Sequence, residues 1–295
     1  NESFDRGSLP VRRWMASQIE QSGNRETMLR FLKRHPTAPH TITTYDEVPL
    51  ETLLPAFLVS ELETAFSIGF RIEHPQSLIN ECRFGEKSPN PLLGAADYQL
   101  VHHCTNGRSV YTFCMCPGGI IAPCATAQEE VVTNGWSPSK RNNPYANSGI
   151  VVSVSPEDLP NYKENDPFVC LDFQKKVEYD CWVAGGKTQR VPAQRMIDFV
   201  QGKTSADFPI TSYQPGIESV NLAEVLPPLI AKRLQKAFVK FGRKMNGYYT
   251  NEAVLHAPES RTSSPVSIPR DPNTLEHIDI KGLYPCGEGA GYAGG

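Results

Sequence analysis

An excess of positive charge is missing from this sequence: 29 Lys and Arg stand against 32 Asp and Glu, a net charge of -3. A chain so balanced has no basic field to attract nucleic acid or an anionic lipid surface, and neither is an expected partner. Also missing is an apolar run long enough to cross a bilayer, and no signal peptide is recognisable. Cysteine is sparse. Eight cysteines in 295 residues fall far below a disulfide scaffold, so free thiols in a reducing, cytoplasmic interior are expected. Paired C-x-x-C knuckles are absent too. Zinc held by Cys104, Cys114, Cys116 and Cys124 with His102 or His103 would lack its usual ligand spacing, and no metal is expected. There is no internal repeat and no low-complexity segment. The 25 prolines and 22 glycines are spread out, which predicts many turns and short strands rather than disorder.

What is present changes in texture along the chain. Val11, Trp14, Met15 and Ile19 recur at helical spacing behind Pro10. Met28, Leu29, Phe31 and Leu32 predict a second short helix, ending near His35-Pro36. Thr37 to Pro55 reads as loop, and residues 1–62 carry no recognisable chemistry. From Phe66 onward the pattern is that of strands: 66–73, 110–115, 130–133 and 149–154, separated by turn chemistry at Pro117-Gly-Gly119, Asn134-Gly135 and Asn142-Asn-Pro144. Two helices are predicted next, over 193–200 and from about Pro227 to Arg243. In the second, Ile230, Leu234, Ala237, Phe238 and Phe241 share one face.

Four groups of residues are candidates for chemistry. At the C-terminal end a predicted strand, Ile280 to Cys286, runs into Gly287-Glu-Gly-Ala-Gly-Tyr-Ala-Gly-Gly295. Glycines leave backbone N–H groups open to a phosphate or a flat ring. The spacing Gly289-x-Gly291-x-x-Gly294 matches a dinucleotide fingerprint, itself a weak signal. Its late position favours a second contact to FAD, with Glu288 accepting from ribitol or ribose hydroxyls; a bare glycine-rich turn is the alternative. The chain is accordingly read as a portion of a larger nucleotide-cofactor protein. Next, Glu259-Ser-Arg-Thr-Ser-Ser-Pro265 offers a guanidinium, Arg261, among hydroxyls of Thr262, Ser263 and Ser264. That set suits a flavin edge or phosphate, and equally an exposed polar loop.

The third group is Phe113-Cys-Met-Cys-Pro-Gly-Gly119. Its two thiols are expected on opposite faces of a strand, unsuited to a disulfide in regular β geometry. Cys116, beside the turn, is the candidate catalytic thiol; two buried, inert cysteines are the alternative. The fourth is Arg71-Ile-Glu-His-Pro75. Arg71 and Glu73 share a strand face, where they either bind a polar substrate or pair with each other, and His74 is a candidate proton donor.

Taken in order, several segments resemble a family of largely uncharacterised FAD-dependent dehydrogenases of bacteria and plant plastids. They are Phe66 to Gln76, Phe113 to Gly119, Thr133 to Ser137, Asn147-Ser148, Ala193 to Arg195, Thr211 to Gly216, Arg261 to Pro265 and Gly287 to Gly295. The resemblance covers about residues 66–295. It implies an α/β (α+β) architecture: part of an FAD/NAD(P)-binding fold of the two-dinucleotide-binding type, carrying an inserted β-rich substrate domain. Residues 66–250 would form the insert and 251–295 the return to the FAD domain, with 1–62 unplaced. The family's N-terminal FAD fingerprint has no counterpart here. The implied cofactor is FAD, contacted by Arg261, Thr262, Ser263, Ser264, Gly287, Glu288, Gly289, Gly291, Tyr292 and Gly294. The implied activity is that of an oxidoreductase on a small molecule, with NAD(P)H or another electron partner, in the cytoplasm or a plastid. A cofactor-free binding or scaffold protein and a cysteine-based metal or redox module are the competing functions.

Overall fold

The computed structural model describes residues 66–87, 92–104, 107–159, 168–265 and 268–290, together with Met28, Leu29 and Leu32. The last three are helical, as the spacing predicts, and Met28 and Leu32 are buried. The helix predicted behind Pro10 lies outside the described residues. The chain divides into two compact units. One contains residues 65–154 and 172–262; the other contains 1–64, 155–171 and 263–295.

The larger unit is built on a mixed seven-stranded sheet. Its strands are β1 (Phe66–Pro75), β2 (Val101–His103), β3 (Ser109–Cys116), β6 (Tyr145–Val154), β7 (Val191–Arg195), β8 (Ile217–Ser219) and β9 (Val254–Glu259), in the order β2-β3-β6-β1-β9-β7-β8. A separate antiparallel pair, β4 (Ile120–Pro123) and β5 (Thr133–Trp136), forms a second small sheet. Helices α1 (Gln76–Phe84), α2 (Val169–Ala184), α3 (Met196–Gln201), α4 (Leu222–Val225) and α5 (Pro228–Lys244) complete the elements. The fold is thus mixed α/β, as expected. Central β9 belongs to this sheet, so the compact unit extends to Thr262.

Strand β1 is buried along almost its whole length, because both of its faces are covered. On one face alternation presents Phe66, Ile68, Phe70 and Ile72, all buried to 2% exposure or less. Phe70 meets Phe199 of α3 edge-on at 5.0 Å and stacks on Phe238 of α5 at 6.5 Å. The predicted apolar face of α5 is the buried one, and each such large side chain contributes roughly 1.5–3 kcal/mol through burial. Pro228 opens this helix, where a missing N–H costs nothing. Gly69, Arg71 and Glu73 project to the other face, beneath β5.

Four local expectations are corrected. Residues 130–132 form no strand, because the Glu130 carboxylate accepts from the N–H groups of Thr126 and Ala127, at 2.9 and 2.8 Å, and closes a loop. Asn134-Gly135 is no turn but the interior of β5. Residues 193–195 complete β7 before helix α3 begins at Met196, since Ala193 and its neighbours pair with β9. Residues 280–286, in the smaller unit, make turns instead of a strand: Leu283 N–H bonds to the Ile280 carbonyl, Gly282 takes a φ of +79°, and Tyr284 is exposed. Nearby in that unit, residues 271–274 form a turn in which the Asp271 carboxylate accepts from Asn273 and Thr274 N–H.

Candidate functional site

Arg71 is wholly buried in the central strand, and its guanidinium organises the covered face of the sheet. Nε donates to Asn147 Oδ1 at 2.8 Å, and Nη1 pairs with Glu259 Oε1 at 3.1 Å. Nη2 donates to the Cys114 carbonyl at 2.7 Å and to Cys116 Sγ at 3.1 Å. The four partners come from three other strands. A buried guanidinium needs this enclosure, because an ion stripped of water is tolerated only when paired and hydrogen-bonded. Among the described residues, Glu259 Oε2 and Asn147 Nδ2 beside it find no hydrogen-bond partner.

Glu73 stands two residues on but does not pair with Arg71, contrary to the ion-pair expectation. Its carboxylate accepts from Ser212 N–H at 2.9 Å and from the Ser212 hydroxyl. Burial pushes Glu73 up to about 7, with the Ser212 hydrogen bonds opposing. Burial likewise raises Glu259 to about 7 against the pull of Arg71. His74 points the other way, onto the helical side, where Nε2 meets the Tyr248 carbonyl at 3.1 Å. Full burial lowers it to about 4. The same cause lowers His256, directly across from Arg71 in β9, to about 4. Arg71 and Glu73 therefore share a layer that His74 does not enter.

The two cysteines of β3 differ in exposure, and alternation does not explain it. Residues i and i+2 of a regular strand share a face. Here a bulge intervenes: Phe113 pairs with Gly149 and Cys116 with Asn147, which leaves one extra residue in β3. Cys114 takes a positive φ of +45°, a backbone conformation that costs a non-glycine residue about 1–2 kcal/mol. Cys114 is consequently exposed and Cys116 buried. Burial raises the Cys116 pKa, and Arg71 works against that rise. Cys114 lines a cavity of about 420 Å³ together with Arg83, Asp97, Tyr98, Gln99 and Thr112. The Pro117-Gly-Gly119 turn beyond it is packed against protein. A side chain at Gly118 would strike the Arg141 carbonyl at 1.9 Å, so backbone occupies the room the glycine opens.

Arg261, expected at the flavin, sits in a carboxylate clamp. Nε and Nη2 bond to the two oxygens of Glu178 at 3.1 and 3.0 Å, and Nη2 also meets Glu130 at 2.6 Å. Nη1 donates to Thr126 Oγ1 at 2.7 Å. Thr262 is buried with its hydroxyl donated to the Ser67 carbonyl. These two residues thus have protein partners for their polar groups. In the smaller unit, Gly287 has a φ of +106°, no atom of the described residues lies within 4 Å of where its side chain would stand, and Ala290 N–H bonds back to its carbonyl. Gly289 accepts from Ile268 N–H at 2.6 Å. Ser263 and Ser264 belong to the same unit. Gly291, Tyr292 and Gly294 lie outside the described residues, as does the Glu288 side chain. Among the described residues, no three His, Cys, Asp or Glu side chains group to hold a metal, and no helix is long and apolar enough to cross a membrane.

Gly135, Asn147 and Ser212 are site residues that received no role from sequence. All three stand in segments that carried the family resemblance, which was the available signal. Glu259 opened the Arg261 segment, but nothing in the pattern tied it to Arg71, 188 residues earlier.

Comparison with known proteins bears on both ends of the chain. A protein from Clostridium beijerinckii, described as an uncharacterized protein, is 42% identical over 234 residues. The match covers 78% of this chain and 43% of the relative, so the chain spans less than half of that protein's length. Residues 1–80 match a different model, the FliP family. The flagellar biosynthetic protein FliP of Pectobacterium carotovorum is 41% identical over 78 residues, 26% of this chain and 28% of the relative. The corresponding protein of Caulobacter vibrioides is 37% identical over 79 residues, 27% of each. The two family matches overlap in β1 and the start of α1. The larger match spans residues 65–262, beginning and ending where the sheet-centred compact unit does, and through it the chain belongs to the family of the FAD-dependent protein, C-terminal domain-like.

Proposed function

We propose that this chain supplies the substrate-side part of an FAD-dependent oxidoreductase acting on a small molecule, with NAD(P)H or another electron carrier as partner. The observation behind this reading is the family match over 65–262, which has the same outer limits as the sheet-centred compact unit. Bound FAD would supply hydride acceptance or donation, while the protein supplies binding and orientation.

Within this reading the Gly287–Ala290 turn is the part of the expected cofactor set best suited to a flavin nucleotide. Among the described residues, no atom lies within 4 Å of the place a Gly287 side chain would take. Arg261 contributes indirectly: it holds Glu130 and Glu178, and Glu178 in turn accepts from Ser260 at 2.6 Å, which fixes the chain where it leaves β9. The cavity beside Cys114, lined by Arg83 and Asp97 among others, is the proposed place for a small polar substrate.

The test is flavin binding. The chain is titrated with FAD and followed by visible absorbance and calorimetry, in parallel with the Clostridium beijerinckii relative. A yellow relative, or FAD uptake by either protein, is the expected outcome. A colourless relative that takes up no FAD, beside a chain that takes up none, overturns the reading.

A further inference from the structure

The CxC segment of β3 has the parts of a working dithiol. Cys114 is exposed on a cavity wall, and Cys116 lies buried two residues on, against a guanidinium. The Cys116 thiol meets the Cys114 carbonyl at 3.3 Å, and Arg71 Nη2 meets the same carbonyl at 2.7 Å. The bulge matters to what they can do. An extended strand holds residues i and i+2 about 6.6–6.8 Å apart, the far limit of what a disulfide bridges. An extra residue bends the strand and releases this limit. The positive φ of Cys114 is held by the bond from Arg71 Nη2 to its carbonyl, which offsets the conformational cost.

We propose that Cys114 and Cys116 form a thiol–disulfide exchange centre that reduces disulfides of small thiol compounds, with Cys114 as the attacking thiol and Cys116 as the resolving one. In the first step the Cys114 thiolate attacks one sulfur of RS–SR. The S–S bond breaks, a mixed disulfide forms, and the departing RS⁻ takes up the proton that Cys114 gave to solvent. In the second step Cys116, as thiolate, attacks the Cys114 sulfur. The mixed disulfide breaks, the second RS⁻ leaves and is protonated, and the Cys114–Cys116 bond closes. Two protein thiols lose two electrons and two protons; one disulfide gains them and becomes two thiols.

Arg71 has a defined part in the second step. At rest the Cys116 S–H points to the Cys114 carbonyl, 3.3 Å away, while Nη2 of Arg71 donates both to the sulfur and to that carbonyl. Once the proton leaves, the bond from Arg71 becomes charge-assisted and holds the thiolate that burial alone would disfavour. The exposed thiol meets the substrate, and the buried one is reached only through the mixed disulfide. The centre needs no flavin for one turnover, so it stands or falls separately from the FAD reading.

The experiment exposes the reduced chain to oxidised glutathione, quenches with acid and an alkylating reagent, and maps the cysteines by peptide mass spectrometry. Wild type is expected to give the Cys114–Cys116 cross-link and two equivalents of reduced glutathione. Cys116→Ser should lose the cross-link and accumulate a stable glutathione adduct on Cys114. Cys114→Ser should lose both, and Cys124→Ser should leave both unchanged. Far- and near-UV circular dichroism checks that each variant is folded, with Cys114→Ala as a second variant at the exposed position. A wild-type protein that stops at a Cys114 adduct overturns the proposal. So does a cross-link through Cys124, or unmodified Cys114 in folded protein.

Discussion

Gly135 is glycine because Arg71 fills the place its side chain would take: a Cβ there would lie 2.3 Å from Nη2 and 2.6 Å from Nε, and 2.0 Å from Asn147 Oδ1. Strand β5 is thereby pressed against the guanidinium and shields it from water. Gly135→Ala is expected to push the small sheet outward or to break the bonds of Arg71 to Asn147 and Cys116. Either result should cost about 2–5 kcal/mol in urea unfolding, whereas an unstrained Gly→Ala change typically stabilises by about 0.4–1 kcal/mol. A variant as stable as wild type would show that the layer above Arg71 yields freely.

Removing Arg71 should be worse than removing the whole charged pair. Arg71→Met leaves Glu259 buried without its counter-charge, and a loss of about 3–5 kcal/mol is expected. In Arg71→Met/Glu259→Leu no charge remains to be solvated, so part of that loss should return. A double-mutant cycle by chemical denaturation measures it. Strict additivity of the two changes would mean that Glu259 is not the principal partner.

Glu73 predicts a pH dependence with a definite sign. Its pKa is raised from 4.5 to about 7 in the fold, so the folded state binds the extra proton. The stability it contributes is complete below about 4.5 and is lost as pH rises through about 7. Glu73→Gln can accept from Ser212 N–H and donate to the Ser212 hydroxyl, as the protonated acid does, without ionising. At pH 8 the variant should exceed wild type by roughly 1–3 kcal/mol, and near pH 4.5 the two should match. His74 and His256, lowered from 6.5 to about 4, act oppositely, and both proteins lose their contribution as pH falls through about 4. Denaturation midpoints across this range decide the matter; parallel curves for the two proteins would remove Glu73 from the account.

At Arg261, alanine leaves Glu130 and Glu178 facing each other without a cation between them. Because the guanidinium is partly in solvent, the expected loss is smaller than at Arg71, about 1–2 kcal/mol. Arg261→Ala/Glu178→Gln should recover some of it, since the amide removes one of the two opposed charges. If Arg261→Ala is neutral in thermal unfolding yet changes FAD affinity, the residue acts on the cofactor rather than on the clamp.

Alternation and helical periodicity foretold the elements whose neighbours are local or whose burial is simple. Phe66, Ile68, Phe70 and Ile72 announced a strand, and Ile230, Leu234, Phe238 and Phe241 announced α5 and its buried face, because a 2.0 or 3.6 repeat of apolar residues has few ways to leave water. The motifs around Cys114, Gly135, Asn147 and Ser212 carried the family. Their tasks depended on contacts across the chain that no spacing encodes. Arg71 draws its partners from positions 43 to 188 residues away, so which carboxylate would neutralise it was decided only when β1, β3, β6 and β9 came side by side. Gly135 read as a turn because glycine permits turns, whereas the fold uses the volume it leaves empty. Cys114 is exposed and Cys116 buried because one extra residue enters β3 against β6, and a bulge exists only relative to the strand beside it.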